Sequence, residues 1–229
     1  LKSKLQQTLE KNSKVITAEL MPPRGGDPIR SLKIAQLLRN KVHAVNITDG
    51  SRAIMRMCSL AMSKLLLDNG IEPIMQISCR DRNKIALQSD ILGANALGIK
   101  NILCITGDSV KAGDQQETKA VHEFEAVRLL KQIQSFNQGI DPTFEQLPDK
   151  RTEIFSGAAV DPSCRNQRSL KSRTIKKKEA GANFLQTQIV MDRKCLADFC
   201  NEISNPLEIP VIAGVFLLKS YKNALFINK

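Results

Sequence analysis

The chain has 229 residues, 42% of them apolar and 25% charged, and a formal net charge of +11. That balance is ordinary for a globular protein and long enough for one large domain, while no run approaches the roughly 20 apolar residues of a membrane span. The positive excess suits anionic ligands or an acidic partner protein; it could also suit nucleic acid, but one Tyr and no Trp argue against base-stacking platforms.

Apolar runs begin at Val15, Ala44, Pro73, Asn101, Phe155, Phe184 and Pro210, and end near Leu20, Thr48, Cys79, Thr106, Val160, Val190 and Phe216. Their starts are 29, 29, 28, 54, 29 and 26 residues apart. A repeat of roughly 29 residues is one strand, one helix and two short loops. The segments between the runs read as helices. Asp27-Pro28 is an N-cap with proline at the first helical position, opening a helix to about Asn40. Ser51–Asn69 closes on Gly70, Asp81–Leu97 on Gly98 and His122–Asn137 on Gly139. Leu196, Phe199, Cys200 and Ile203 make one apolar helix face.

Strict strand–helix alternation implies a parallel sheet with right-handed crossovers. Seven evenly spaced strands, with no GxGxxG after the first, favour an α/β fold of the (β/α)8 TIM-barrel class over a doubly wound sheet. The chain reads as a single barrel domain over residues 1–229. The expected eighth strand has no counterpart before Lys229, so the barrel is expected to be incomplete at that end or closed by a partner. The long interval holds Ser109–Val121, on the expected catalytic rim, and Gly139–Glu153 with Pro142 and Pro148, on the opposite rim.

In such a barrel the chemistry sits at the carboxyl ends of the strands. Strand one ends Ala18-Glu19-Leu20; a Glu inside an apolar strand is costly unless it faces a polar cavity, where burial makes it a candidate general acid. Strand four, NILCITGD at 101–108, ends in Thr106-Gly107-Asp108, with a glycine that lets a flat ligand approach the backbone and a carboxylate beside it. Strand two ends Thr48-Asp49-Gly50, strand three contains Gln76 and ends Ser78-Cys79-Arg80-Asp81, and strand five ends at Asp161. Asp49 and Asp81 also suit the N-caps of the following helices, which is the reading preferred for Asp81. Gln186 and Gln188 share one face by the period of two, and inward amides can donate to and accept from a heterocycle. Arg165–Lys178 holds seven Lys/Arg in fourteen residues, either the solvated face of a helix or a phosphate clamp. His43 and His122 are the only histidines, so a Ser/His/Asp set or a His-based metal site has no support. The six cysteines form no CxxC pair and read as free or buried thiols of a reducing, cytoplasmic compartment.

The residues AELMPPRG (18–25), AVNITDG (44–50), QISCRDRNKIALQSD (76–90), LGIKNILCITGD (97–108), AGANFLQTQIVMD (180–192) and PVIAGV (210–215) together resemble the methylenetetrahydrofolate reductase family, in its shorter bacterial form that works beside a second subunit. The resemblance implies a flavin-dependent barrel enzyme reducing methylenetetrahydrofolate. It implies FAD as cofactor, with FMN as the alternative because Gln76 stands where many members have His and Thr106 where many have Arg. It assigns Glu19 as the acid that promotes opening of the folate's five-membered ring and Asp108 as the carboxylate beside flavin and pterin. Gln188 and Tyr221 become folate contacts, the latter by stacking. Thr48, Gln76, Thr106 and Gly107 become flavin-lining positions, Asp161 a ribose contact, and Lys176 and Lys177 a basic pair near the phosphates. Electrons are then expected from NAD(P)H or a partner redox protein, and an oligomer without nucleic acid or membrane span is expected. Two other readings stay open: a pterin-binding methyltransferase barrel without flavin, and a non-enzymatic basic barrel that binds polyanions or scaffolds a complex.

Overall fold

Each apolar run becomes a short parallel strand. They are β1 (Thr17–Leu20), β2 (Ala44–Ile47), β3 (Pro73–Ser78), β4 (Asn101–Ile105), β5 (Phe155–Val160), β6 (Phe184–Ile189) and β7 (Val211–Gly214). A computed structural model of the chain describes residues 1–227 apart from Phe144, Pro148 and Lys150, with the backbone alone at Phe226 and Ile227. The expected connection through Pro148 and the expected stop at Lys229 lie outside the described residues. The helices are α1 (Lys4–Glu10), α2 (Ile29–Leu38), α3 (Ser59–Asp68), α4 (Lys84–Ala96), α5 (Ala126–Gln138), α6 (Gln167–Glu179), α7 (Arg193–Phe199) and α8 (Tyr221–Ile227). Strand order in the sheet is the order in the chain, and every neighbouring pair is parallel. This is a nearly closed α/β barrel of the TIM type; among the described residues it has seven strands, with β1 and β7 as its edges. No helix among the described residues is long and apolar enough to cross a membrane.

The pleat sorts side chains between two layers. Val45 and Ile47 face outward under α2 and α3, and Met75, Ile77, Ile102, Cys104, Ala158 and Leu185 face the remaining helices. Their alternates Ala44, Ile74, Leu103, Phe155, Phe184 and Ile212 fill the lower barrel. The Phe155 and Phe184 rings stack there at 5.4 Å between centroids. Gly157 is required beside them, because a Cβ at that position would enter the Phe184 ring. One pleat higher the inward residues become polar: Glu19, Asn46, Gln76 and Gln186. The interior is therefore apolar at the amino ends of the strands and polar at the carboxyl ends.

The barrel floor is α1, which the sequence pattern did not mark. Leu5, fully buried, joins the interior cluster. The Glu72 carboxylate accepts from the backbone N–H of Lys4 (2.7 Å) and Leu5 (2.9 Å), placing negative charge at the helix N-terminus. Ser3 caps α1 and donates to Asn101 Oδ1 at 2.6 Å.

Three helix starts differ from expectation. Residues 51–58 are not α-helical: Ser51–Ala53 is a single 3-10 turn in which Arg52 and Ala53 carry φ of 60° and 53°, and α3 begins only at Ser59. His122, with φ of 44°, lies between Val121, whose N–H donates to Arg80 C=O, and Glu123, whose carboxylate accepts from Lys84 N–H, and α5 begins at Ala126. Asn83, not Asp81, caps α4, its side chain accepting from Ala86 N–H at 2.9 Å. Asp27 does accept from Ile29 N–H at 2.9 Å, with Pro28 one position ahead of the helix.

The thiols of β3 and β4 face the helix layer. Burial pushes the Cys79 thiol up to about 12 and raises Cys104 well above the usual thiol range. Since the thiolate is the reactive form, iodoacetamide at pH 8 is expected to label the exposed Cys58 and to spare Cys79 and Cys104 until the chain unfolds. Peptide mapping by mass spectrometry reads the difference; equal labelling of all three in the native protein would contradict this packing.

Candidate active site at the carboxyl ends of the strands

Glu19 stands in register with Asn46, on the inward face of β1. Solvent reaches it through the open mouth, yet protein encloses its flanks, and the resulting desolvation raises its pKa above 4.5. The neutral form is thus favoured in the fold, so the stability Glu19 allows is complete at acid pH and declines as pH rises above about 4.5 through its raised value. The Tm of Glu19→Gln minus that of the native chain is accordingly expected to grow with pH above 4.5 and then level off. A flat difference between pH 4 and 8 would show that the carboxyl is fully solvated.

Around Glu19 lie the inward polar side chains of the other strands. Asn46, Thr48, Gln76 and Ser78 are buried. Asn46 Oδ1, Thr48 Oγ1 and Gln186 Oε1 are enclosed and make no hydrogen bond within the described residues. Buried polar atoms are nearly always satisfied, so three orphans at one barrel end, two from β2 and its carboxyl end and one from β6, point to a polar ligand. Of these, Asn46 escaped the sequence reading, although it lies two residues before Thr48 on the same face.

Asp108, after β4, is exposed, and its Oδ2 accepts from the Arg52 backbone N–H at 2.6 Å. This bond ties the turn at Ser51–Ala53 to the end of β4. Asp49 is no N-cap: it is buried, accepts from Ser78 N–H at 2.8 Å and pairs with both Nη atoms of Arg82. The rim loops interlock. Arg24 pairs with Asp114 across the mouth, Arg56 donates to Pro22 C=O at 2.9 Å, and Gly113 sits against Ala53 C=O so closely that a Cβ has no room.

Gln188 lies at the carboxyl end of β6, where the pairing with β7 slips between Gln186 and Ile189. That irregularity, of the kind that re-aims side chains beside active sites, separates the two amides: Gln186 is half-buried and Gln188 exposed. Thus Glu19, Asp108 and Gln188, from β1, β4 and β6, stand on one rim, as do Thr48 and Gln76. Asp161, just past β5, accepts from Ser163 N–H at 3.0 Å in its own turn. Thr106 faces outward into a separate cavity of about 460 Å³ with His122, Phe124 and Arg128. Gly107, φ 97°, has its side-chain space filled by Ser78 and Arg80. Tyr221 opens α8 and is 77% exposed.

The two lysines of the basic pair are placed differently: the Lys177 ammonium reaches the carboxyl end of β5, while Lys176 lies exposed on the helix. Helix α6 starts after the carboxyl end of β5 and runs back along the barrel, so its last turn, with Lys176 and Lys177, heads toward the amino ends. Lys177 reaches back to donate to Ala159 C=O at 2.6 Å, and burial lowers its pKa. Lys176 is exposed. Arg165, just before the same helix, and Arg168, in its first turn, also stand at the rim.

The methylenetetrahydrofolate reductase family model matches residues 4–229. The chain belongs to that family. Among curated members, methylenetetrahydrofolate reductase 2 of Schizosaccharomyces pombe is 29% identical over 218 residues, 89% of this chain and 33% of that protein. The probable NADPH-dependent methylenetetrahydrofolate reductase of Caenorhabditis elegans is 23% identical, covering 100% of this chain and 34% of that protein. The chain therefore spans about a third of the length of the curated family members it matches. Among solved structures, a Clostridium thermocellum protein that binds two copies of 5-methyl-5,6,7,8-tetrahydrofolic acid superposes with a TM-score of 0.64 at 14% identity, over 98% of this chain and 80% of that one. 2,3-Dimethylmalate lyase, of the PEP mutase/isocitrate lyase superfamily, superposes with a TM-score of 0.62 at 13% identity, over 99% and 79%. These likenesses establish the TIM-type barrel of the family.

Proposed function

We propose that this member of the family reduces 5,10-methylenetetrahydrofolate to 5-methyltetrahydrofolate, using a flavin held at the barrel mouth. Family membership sets the reaction class; the observation that carries the assignment to this mouth is Glu19, a carboxylic acid of raised pKa beside three enclosed and unpartnered polar atoms. Those atoms, with Gln76, fit the alternating donors and acceptors of an isoalloxazine edge. Thr48, Gln76 and Asp108 would hold the ring, Asp161 the ribose side, and Lys176 and Lys177, together with Arg165 and Arg168, the phosphates. When bound, the flavin supplies two electrons as hydride.

The chain's own work is proton handling and orientation. Protonated Glu19 gives its proton to the folate nitrogen that leaves as the five-membered ring opens, exposing an electrophilic methylene carbon at the other nitrogen. Asp108 accepts from the amino-pyrimidinone edge of the pterin, Gln188 makes a second contact, and Tyr221 offers a ring to the folate's aromatic portion. Electrons come from NAD(P)H or from a partner redox protein or second subunit, for which the net charge of +11 favours an acidic surface.

The test is a spectrum. The purified chain is expected to be yellow or to take up added FAD or FMN, to bleach with dithionite and to regain colour on adding methylenetetrahydrofolate. Chromatography of the released flavin separates FAD from FMN. Failure to take up either flavin would overturn this reading in favour of a flavin-free pterin barrel.

A further inference from the structure

Three rim segments meet at one guanidinium that the reaction above does not use. Arg80 follows β3 and its side chain is 4% exposed. Its Nε and Nη2 grip the two carboxylate oxygens of Asp81 at 2.7 and 2.6 Å. Its Nη1 donates to Gly50 C=O, after β2, at 3.2 Å and to Asp108 C=O, after β4, at 3.4 Å. Its own carbonyl accepts from Val121 N–H at 2.7 Å, tying in the loop before α5. The glycines of both flanking loops are shaped to it. A Cβ at Gly50 would lie 2.6 Å from Arg80 Nη2, and one at Gly107 would lie 2.8 Å from Arg80 Cβ. The TDG, SCRD and TGD motifs at 48–50, 78–81 and 106–108 are thus three parts of one clamp.

The clamp closes on Asp108 twice. It holds the Asp108 carbonyl directly. Through the Gly50 carbonyl it also holds the loop whose Arg52 N–H donates to the Asp108 carboxylate. We propose that Arg80, steadied by Asp81, is a positioning residue that fixes where the Asp108 carboxylate stands at the mouth. This rests on the reading of Asp108 as a flavin and pterin contact. Arginine is needed, because a planar fork can grip a carboxylate on one edge while its remaining nitrogen spans two carbonyls, and a lysine ammonium has no such geometry. The Asp81 bond and the nearby Asp108 and Asp49 carboxylates hold Arg80 charged against its burial.

Three variants test it: Arg80→Lys, Asp81→Asn, which loosens the fork from its half-exposed end, and Asp108→Asn, alone and combined with Arg80→Lys. Two readouts are taken on the full chain: the dissociation constant for FAD by fluorescence titration, and the chemical shift and exchange rate of the Arg52 amide in flavin-free protein. Arg80→Lys and Asp81→Asn are each expected to weaken FAD about tenfold, the coupling expected within one network, and to speed exchange at Arg52. In the Asp108→Asn background Arg80→Lys should weaken FAD no further. Independent, multiplying effects of the Arg80 and Asp108 changes would overturn the proposal. So would a lowered Tm with the Arg52 amide and FAD affinity unmoved, since that marks a purely structural arginine. If the native chain takes up no flavin, the proposed function fails while the Arg52 amide still decides the role of Arg80.

Discussion

Glu19→Gln is expected to keep flavin uptake and lose folate reduction by about 10²–10⁴-fold, the usual contribution of a positioned general acid. The substitution preserves size and one carbonyl acceptor while replacing the carboxyl OH by an amide NH2, so the mouth keeps its shape and the acidic proton is lost. Two half-reactions separate these effects in stopped flow. Bleaching by dithionite requires no proton from Glu19 and should be unchanged. Recovery of colour with methylenetetrahydrofolate requires that proton and should slow. The pH dependence follows from the direction of the shift. In the native chain recovery should be fast while Glu19 is protonated and fall as pH rises through its raised pKa; in the variant that limb should vanish. Recovery at the native rate in Glu19→Gln would remove Glu19 from the chemistry, whatever the spectrum of the protein.

The barrel was legible because its physics is local and repeated: seven apolar runs one βα unit apart admit few architectures. Glu19 and the amides of β6 were legible for the same reason, since a polar residue breaking an apolar strand must face something other than core. The rim was less so. Ser51–Cys58 has helical composition, and nothing in its spacing says that Arg52 N–H is wanted by a carboxylate 56 residues away. Asp81 looks like a cap until its neighbour Arg80 claims it. Gly107 reads as room for a ligand when the space is taken by Ser78 and Arg80. The charge run was visible too, but not its layout: the direction of α6 puts Arg165 and Arg168 at the rim, and Lys177 reaches the end of β5 only through its long side chain. For Arg52 and Gly107 the missing information was a contact between loops that follow different strands, and no one-dimensional pattern encodes that.

Leu5→Ala is expected to cost about 2–5 kcal/mol, the range for emptying a fully buried leucine site. At about 2–4 °C of Tm for each kcal/mol in a chain of this size, that is a large thermal shift from a residue in a seven-residue helix. An isolated helix so short has no stability of its own. Helix α1 holds because Glu72 and Asn101 fasten its first turn and because Leu5 enters the cluster of Ile74, Leu103, Phe155 and Phe184. Removing the side chain leaves a void directly under the stacked rings, where neither ring can settle without losing the other. Leu9 packs only at the margin of that cluster, so Leu9→Ala should cost clearly less. Urea denaturation at constant m-value measures both. The polar mouth lies a full pleat above the void, so flavin affinity should survive Leu5→Ala at temperatures where the chain is folded. A cost below about 0.5 kcal/mol, the size of an ordinary surface change, would mean that α1 merely rests against the barrel and that the floor is closed by something else.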